Sequence, residues 1–414
     1  MTLQTSVFVT NNGLSDHIGL AQVLPYLEGL SRSGHKIVCL SVERPDKAQT
    51  YHDEVAPRLA RAGIRHHPVL RHGSVLASRL ERFFMPATLS SHLDRIVQRY
   101  KASLIHCRSY MPLASALTAS RKHHVPMLFD MRGFWIDERI ESGIWSGALG
   151  QVYARHFRKL EANAYGQADG IVTLSQDARS VVLGDPAYRG APISVIPCSV
   201  DQSLFQPDRV LGGRIREVLG IDPDELVLVH SGSAGPLYKM EAAYQLVKAL
   251  EAKGARVRLL LLGDHDPDTH LARAQAAEAP LAKQQIICLK VAHHEMPGLL
   301  NVADIGLSFR LQSRSSFGVS ATKLGEYQAI GLPVISNDGI GDIRQILAQE
   351  GLGLVLTDLG PKSIDAAAGK ILTQKFSAPE AIRAAGQMRY DMDRAVLSYD
   401  AMYRRIGDSR RAVA

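Results

Sequence analysis

Short apolar segments alternate with longer segments in which apolar residues recur every three to four positions, and this alternation runs through most of the chain. It is typical of parallel β-sheets covered by helices, so the sequence predicts an α/β fold. In the first half, strands are predicted at Ser6–Thr10, Lys36–Val42, Leu104–Cys107, Pro126–Phe129 and Gly170–Leu174. In the second half, they are predicted at Leu226–Ser231, Arg258–Gly263, Gln285–Val291, Ile305–Phe309, Pro333–Ser336 and Leu354–Leu356.

The length of 414 residues indicates two domains, because a single hydrophobic core rarely grows to this size. Proline and polar residues become frequent around 197–210, which is typical of a linker. We therefore predict an N-terminal domain over 1–197, a linker over 198–210 and a C-terminal domain over 211–388. An amphipathic helix predicted over 389–406 must bury one face, and we expect it to return to the N-terminal domain.

The composition, with 46% apolar and 21% charged residues, is that of a globular protein. A net charge of +7 suits an anionic partner, such as a nucleotide, an acidic lipid surface or a nucleic acid. Nucleic acid ranks last, because no zinc-ligand spacing, clustered aromatic motif or helix-turn-helix pattern accompanies the basic residues. Without a leader-like N-terminus or a long apolar run, the sequence predicts a cytoplasmic protein.

A candidate phosphate site follows the predicted strand that ends near Arg310. The small polar loop Leu311–Gly318 leads into a helix for which Ser320 is a plausible N-cap. A helix N-terminus attracts phosphate, and Lys323 adds a full positive charge to it. Glu326 lies one turn further, where its carboxylate could accept hydrogen bonds from two ribose hydroxyls. The alternative for this pair of residues is a surface salt bridge.

The segment 320–335 resembles a sequence block of the family 4 retaining glycosyltransferases, which have the GT-B fold and use nucleotide-diphosphate sugars. The resemblance implies two Rossmann-like domains with parallel sheets facing across a cleft. It also implies that Glu326 binds the donor ribose, and that Phe317, Gly318 and Val319 belong to the donor site. Gly318 stands where the family has a glutamate that faces the donor sugar, so this chain departs from the pattern there.

A second block, Val227–Lys239, resembles the Gly-Arg, five residues, Lys element of the same family. Gly232 and Lys239 match it, whereas Ser233 replaces the arginine. We hypothesise that Arg310 or Arg314 supplies the missing positive charge. The resemblance also implies that the backbone near Val291 contacts the nucleobase.

In the first half, the loop Asn11–Gly19 resembles the first β-α loop of the family, which lies against the donor phosphates and the acceptor. Gly13 and Gly19 are its candidate residues, although ordinary turn glycines would give the same pattern. His106 and Arg132 follow two further strands, together with Arg108 and Asp130. By resemblance, His106 would assist the donor sugar as a catalytic residue, and Arg132 could stabilise the departing diphosphate. The alternative here is a surface ion network.

Two basic segments with apolar neighbours, Arg65–Arg71 and Arg79–Met85, could contact a membrane surface or a lipid acceptor. A solvated helix face is an equally good interpretation of them.

The resemblance implies a retaining hexosyltransferase that transfers a sugar from a nucleotide sugar to a hydroxyl of a sugar, lipid-linked or small-molecule acceptor. Synthesis of bacterial surface polysaccharide or glycolipid is the expected setting. The resemblance implies no cofactor and no metal-binding Asp-x-Asp motif, so no metal site is expected, and Lys239 joins His106 and Arg132 as a catalytic candidate. The alternatives are a degenerate homologue that binds nucleotide sugar without transfer, a nucleotide-sugar 2-epimerase and, least favoured, a nucleic-acid-binding module.

Overall fold

The computed structural model describes residues 5–71, 88–292, 294–347 and 351–411. It divides into two compact units. The first unit comprises Met1–Pro197 and Met392–Ala414, and the second comprises Cys198–Asp391.

The first unit contains a seven-stranded sheet in which every neighbouring pair is parallel. The strand order is β3-β2-β1-β4-β5-β6-β7. The strands are β1 Thr5–Thr10, β2 Lys36–Glu43, β3 Arg65–Leu70, β4 Leu104–Arg108, β5 Met127–Asp130, β6 Gly170–Thr173 and β7 Ile193–Val195. The order reverses between β1 and β4, and ligands of open α/β sheets bind at the carboxyl ends of strands at such a point.

The second unit contains a six-stranded sheet that is also parallel throughout. Its order is β10-β9-β8-β11-β12-β13, so the reversal falls between β8 and β11. The strands are β8 Leu226–Ser231, β9 Val257–Leu262, β10 Ile286–Leu289, β11 Ile305–Ser308, β12 Val334–Asn337 and β13 Gly353–Leu356.

Helices cover both faces of each sheet. In the first unit they are His17–Gln22, Leu24–Arg32, Pro45–Lys47, Ala48–Thr50, Tyr51–Val55, Ala56–Arg61, 88–99, Leu113–His123, Trp135–Glu141, Gly147–Gln167, Gln176–Leu183 and Met392–Arg411. In the second unit they are Arg209–Val218, Met240–Ala252, Pro267–Ala276, Lys283–Gln285, Met296–Leu300, Arg314–Phe317, Thr322–Ile330, Ile343–Leu347, Pro361–Thr373 and Pro379–Tyr390. None of these helices has the length and apolar character needed to cross a bilayer.

The prediction of an α/β fold with two parallel sheets is confirmed, and a strand is present at each of the eleven predicted positions. Two strands were not predicted. β7 is short and only half-buried, and β3 was interpreted as a surface segment because it is basic. The alternative of a solvated helix face is wrong for Arg65–Leu70, because the segment is a strand that pairs with β2 and its His66 hydrogen-bonds Tyr51 and Ser41. The contact with a membrane or a lipid acceptor stays a prediction for this segment. The segment Arg79–Met85 lies outside the described residues.

The C-terminal helix begins at Met392 rather than at Arg389, because Asp391 has an extended backbone that ends the preceding helix. Its apolar face belongs to the core of the first unit, where Tyr399 and Tyr403 are almost fully buried. It packs on helix Leu24–Arg32 so closely that a Cβ atom at Gly29 would lie 2.3 Å from a methyl group of Val396.

Candidate functional site

The loop after β8 lies at the point where the strand order of the second sheet reverses. It begins with Gly232, whose φ of +87° favours glycine, and it pairs with the residues that follow β11. Tyr238 and Arg310 form an antiparallel bridge, and the Lys239 N–H donates to the Phe309 carbonyl at 3.1 Å. The fold therefore brings Gly232, Lys239 and Arg310 to the edge of the sheet where ligands bind.

Lys323 and Glu326 lie on helix Thr322–Ile330, which is buried along almost its entire length. A surface salt bridge is excluded, because both side chains are buried and no ion pair joins them in this fully described segment. The Lys323 Nζ atom lies 4.4 Å from the centre of the Tyr238 ring and 3.2 Å from Nε2 of His230. The predicted N-cap is wrong: the helix is preceded by Ala321, and the Ser320 hydroxyl instead accepts the Cys198 N–H.

The buried pair is electrostatically perturbed. Burial lowers the pKa of Lys323 to about 7, with Glu326 opposing and Arg310 reinforcing the decrease. Burial likewise raises the pKa of Glu326 to about 7, with Lys323 opposing the increase. Buried ionisable groups with strongly shifted pKa values at a strand edge are typical of functional sites. An anion would favour the charged form of Lys323, and hydroxyl donors would favour that of Glu326.

Arg310 is buried beside the same aromatic ring, with its guanidinium carbon 5.4 Å from the Tyr238 centroid. Its backbone is fixed by two hydrogen bonds to the Asn337 side chain, at 2.9 and 3.0 Å. Its Nε atom donates to the Ser316 hydroxyl at 3.3 Å. Arg314, the other candidate for the missing charge, is exposed on the short helix Arg314–Phe317. Of the two arginines, the structure places Arg310 beside Lys323.

The remaining donor-site candidates lie on nearby segments of the second unit. Gly318 is buried directly after helix Arg314–Phe317, whose last residue Phe317 is 43% exposed. Val319 and Val291 are half-buried and pack against the core, and Val291 lies two residues beyond β10. Ser233 is exposed at the start of the loop after β8. The roles predicted for these residues stay predictions.

In the first unit, the loop after β1 is held by a buried carboxylate. Glu43, at the end of β2, accepts the Leu14 N–H at 2.8 Å and the Ser15 hydroxyl at 2.6 Å. Both predicted glycines are required by close packing. A Cβ atom at Gly19 would lie 2.1 Å from the Gly13 carbonyl oxygen, and one at Gly13 would lie 2.9 Å from a Glu43 oxygen.

The strand-end residues of β4 and β5 form a buried network rather than a surface ion network. Asp130 contacts Arg108 at 3.1 Å, His106 at 3.4 Å and Arg132 at 3.7 Å. Burial opposes ionisation of Asp130, but these three neighbours outweigh it and hold the pKa of the carboxyl below its usual value. Burial lowers the pKa of His106 despite Asp130, so the imidazole is neutral at pH 7.

The C-terminal helix completes this network. The Tyr399 hydroxyl donates to Asp130 at 3.1 Å, and the Tyr403 hydroxyl lies 2.8 Å from Nδ1 of His106. Both ring nitrogens of His106 are therefore engaged, and the residue is only 1% exposed. Arg132 has a φ of +56°, a conformation that a non-glycine residue adopts only when its surroundings impose it.

The sequence analysis missed His230, Tyr238 and Glu43 as site residues. Glu43 is the last residue of β2 and His230 is the last but one of β8, so both lie near the edge that binds ligands, and this position is the signal that could have identified them. Tyr238 has no such signal, because its role depends on two cations that come from distant segments. Within the described ranges, no group of three or more His, Cys, Asp or Glu side chains could hold a metal ion.

Two parallel, doubly wound sheets, each in its own compact unit, are the fold of the GT-B class. Comparison with protein families gives two adjoining matches. Residues 22–204 match "Glycosyltransferase Family 4", and residues 213–389 match "Glycosyl transferases group 1". The chain belongs to the family 4 glycosyltransferases.

Solved structures of similar fold cover nearly the whole chain. Sucrose-phosphate synthase from Thermosynechococcus elongatus is 14% identical with a TM-score of 0.71, covering 98% of this chain and 100% of its own. HepE from Anabaena, in complex with UDP, is 15% identical with a TM-score of 0.71, covering 97% and 99%. A putative UDP-N-acetylglucosamine 2-epimerase from Listeria monocytogenes is 11% identical with a TM-score of 0.53, covering 96% and 94%. These similarities show the fold. A comparison with curated proteins found no match.

Proposed function

We propose that the protein is a retaining glycosyltransferase that moves a sugar from a nucleotide-diphosphate donor to a hydroxyl acceptor, in bacterial surface polysaccharide or glycolipid synthesis. The cationic cluster of the second unit carries this proposal. Arg310 and Lys323 flank the Tyr238 ring, and Lys239 follows Tyr238 in the chain. Among the described residues, none of these three cations has a carboxylate within ion-pair distance. Such a cluster suits a diphosphate.

Glu326 supports a nucleotide rather than a bare phosphate as the ligand. A buried carboxylate on the same helix as Lys323 can accept hydrogen bonds from ribose hydroxyls, which carry no charge. Hydrogen bonds from the ligand would then offset the free-energy cost of burying the charged Glu326 carboxylate in the folded protein. HepE was solved in complex with UDP, UDP with glucose, and UDP-glucose, and its likeness to this chain lies in the fold.

The proposed chemistry is substitution on one face of the donor sugar. The bond between the anomeric carbon and the phosphate oxygen breaks, the acceptor oxygen bonds to that carbon on the same face, and the departing diphosphate takes the acceptor proton. Lys239, Arg310 and Lys323 would stabilise the negative charge that develops on the diphosphate. No cofactor and no metal ion are required by this scheme.

For the first unit, His106 and Arg132 stay predictions. Because His106 is buried and both its nitrogens are engaged, its geometry favours orienting Asp130 and thereby Arg132 over direct contact with a sugar. Arg132 is the better candidate for contact with the leaving phosphate or the acceptor.

We also propose a peripheral contact with an anionic membrane through the segment Ser142–Leu160 of the first unit, with a cytoplasmic location. This segment contains no acidic residue. Exposed apolar side chains lie in and beside it, at Ile140, Ile144, Leu149 and Val152. Arg155 and Lys159 are exposed on the same helix. Apolar side chains with basic neighbours are typical of helices that lie in a membrane interface.

A thermal-shift titration with UDP, ADP, GDP and dTDP tests the donor site, since a ligand of the native state raises the apparent melting temperature by mass action. We expect one nucleotide to stabilise the wild type and Lys370→Met, an exposed control, but not Lys323→Met. If no nucleotide stabilises the wild type, the proposal is wrong.

Product analysis with the corresponding nucleotide sugars then separates the remaining functions. Transfer to an added acceptor with retained anomeric configuration supports the proposal. An epimerised donor formed without acceptor would identify a 2-epimerase. Binding without turnover across many acceptors would identify a homologue that has lost transfer, for which Ser233 and Gly318 would be the cause.

A further inference from the structure

His230 is the last residue but one of β8, two residues before the loop that begins with Gly232, and it is 2% exposed. A single ring nitrogen, Nε2, lies within hydrogen-bond distance of two different partners. It is 3.1 Å from the Ser233 carbonyl oxygen and 3.2 Å from Nζ of Lys323. The residue therefore contacts both the loop and the lysine of the proposed donor site.

These two contacts require opposite roles of the same nitrogen. A carbonyl oxygen only accepts, so Nε2 must carry a proton to bind Ser233. An ammonium group only donates, so Nε2 must present its lone pair to bind charged Lys323. A neutral imidazole has one protonated nitrogen and one bare nitrogen, and it can satisfy only one of the two partners through Nε2. The contacts are thus mutually exclusive while Lys323 is charged.

The charge of Lys323 decides which contact is made. Burial and the neighbouring Lys323 hold the pKa of His230 well below its usual value, so the ring stays neutral. The groups that face Lys323 are His230 on β8, Tyr238 on the following loop, Arg310 after β11, Glu326 on its own helix and His265 after β9. A diphosphate would add negative charge to this set and would favour the ammonium form.

A second set of side chains fixes the surroundings of His230. Its ring packs edge-on against His265, with ring centroids 6.1 Å apart. His265 in turn contacts His270 at 3.1 Å, and His270 contacts the Tyr244 hydroxyl at 2.6 Å. Burial lowers the pKa of both these histidines, to about 4 for His270. At neutral pH, His265, His270 and Tyr244 are therefore uncharged and add no positive charge near Lys323.

Resting on the proposed function, we propose that His230 is a positioning residue of the donor site. Its Nε2 atom accepts a hydrogen bond from the Lys323 ammonium and holds it over Tyr238, where the diphosphate binds. When Lys323 is uncharged, Nε2 binds the Ser233 carbonyl instead. Binding of the diphosphate therefore releases the Ser233 carbonyl and frees the loop to direct its N–H groups toward the phosphates.

The test compares His230→Met with His230→Gln by calorimetric titration with UDP, ADP, GDP and inorganic pyrophosphate between pH 6 and 9. The glutamine amide offers an oxygen to Lys323 and an N–H to Ser233, so we expect an affinity within about threefold of the wild type. Methionine offers neither a strong acceptor nor a donor. We expect it to weaken binding about tenfold or more, while melting without ligand and circular dichroism show a folded protein.

The pH profile distinguishes positioning from packing. Without an acceptor for its ammonium, Lys323 should lose its proton more easily, and the loss of affinity at high pH should begin at a lower pH in His230→Met. In His230→Gln the loss of affinity should begin at the same pH as in the wild type. If both variants weaken binding equally, or if His230→Met binds like the wild type with an unchanged profile, the proposal for His230 is overturned while the donor site stands. If the wild type binds none of the four probes, the proposed function fails and this proposal fails with it.

Discussion

Replacing Glu326 by glutamine should stabilise the unliganded protein and weaken nucleotide binding, two effects of opposite sign from one substitution. Glu326 is 9% exposed, and burial raises its pKa from 4.5 to about 7. At about 1.4 kcal/mol per pH unit, the ionised carboxylate costs the folded protein roughly 3 kcal/mol above pH 7. A buried glutamine amide and a protonated carboxyl have similar desolvation costs, so the substitution should recover roughly this 3 kcal/mol above pH 7.

The gain in unfolding free energy of Glu326→Gln over the wild type should increase with pH. A group whose pKa is raised on folding contributes stability below its unfolded pKa and loses it as the pH rises through the folded value. For Glu326 this window runs from about 4.5 to about 7. Glu326→Gln should therefore resemble the wild type at pH 4.5 and exceed it in unfolding free energy at pH 8. Urea denaturation at both pH values measures this difference.

The functional effect is the loss of a charged acceptor for ribose hydroxyls. One hydrogen bond to a charged group contributes about 1.5–3 kcal/mol, which corresponds to roughly ten- to hundredfold in affinity. Calorimetric titration with the nucleotide found by thermal shift measures this change in affinity. Glu217→Gln, at an exposed position of the same unit, is the control. An affinity within twofold of the wild type would refute the ribose contact. Equal stability at both pH values would refute the argument from the buried charge.

Three further outcomes are expected. Above pH 7, once Glu326 is ionised, nucleotide affinity should fall as free Lys323 loses its proton, and calorimetric titration of Lys323→Arg should lack this decrease because arginine stays charged. Asp130→Asn removes the carboxylate beside buried Arg108 and partly buried Arg132, so the free energy of unfolding from urea denaturation should fall by about 3–5 kcal/mol, against about 1 kcal/mol for Tyr403→Phe. Leu149→Glu should reduce sedimentation with anionic phospholipid vesicles and leave neutral vesicles unaffected; equal sedimentation of variant and wild type would contradict the membrane contact.

The sheets could be predicted because their central strands are buried on both faces and appear as apolar runs. β3 escaped prediction because its histidines find partners on other elements, which no local pattern records. Contacts between distant segments likewise limited the prediction of the candidate site residues. Lys323, Glu326 and Arg310 could be named as candidates by motif and by position after a strand. Tyr403, which contacts His106 from the C-terminal helix, could not be predicted, because it lies 297 residues away along the chain.

The serine that replaces the family arginine at position 233 changes the charge of its loop more than its geometry. In both units, the loop after the first strand is supported by the end of the second strand. Glu43 binds the N–H of Leu14 in the first unit, and Gly263 in the second lies so close to Gly232 that a Cβ atom would be 2.9 Å from its carbonyl oxygen. This support does not involve the side chain at position 233, so we expect the replacement of the arginine by Ser233 to leave the loop in place. We propose that Arg310, which follows β11 and whose backbone is fixed independently, supplies the lost charge.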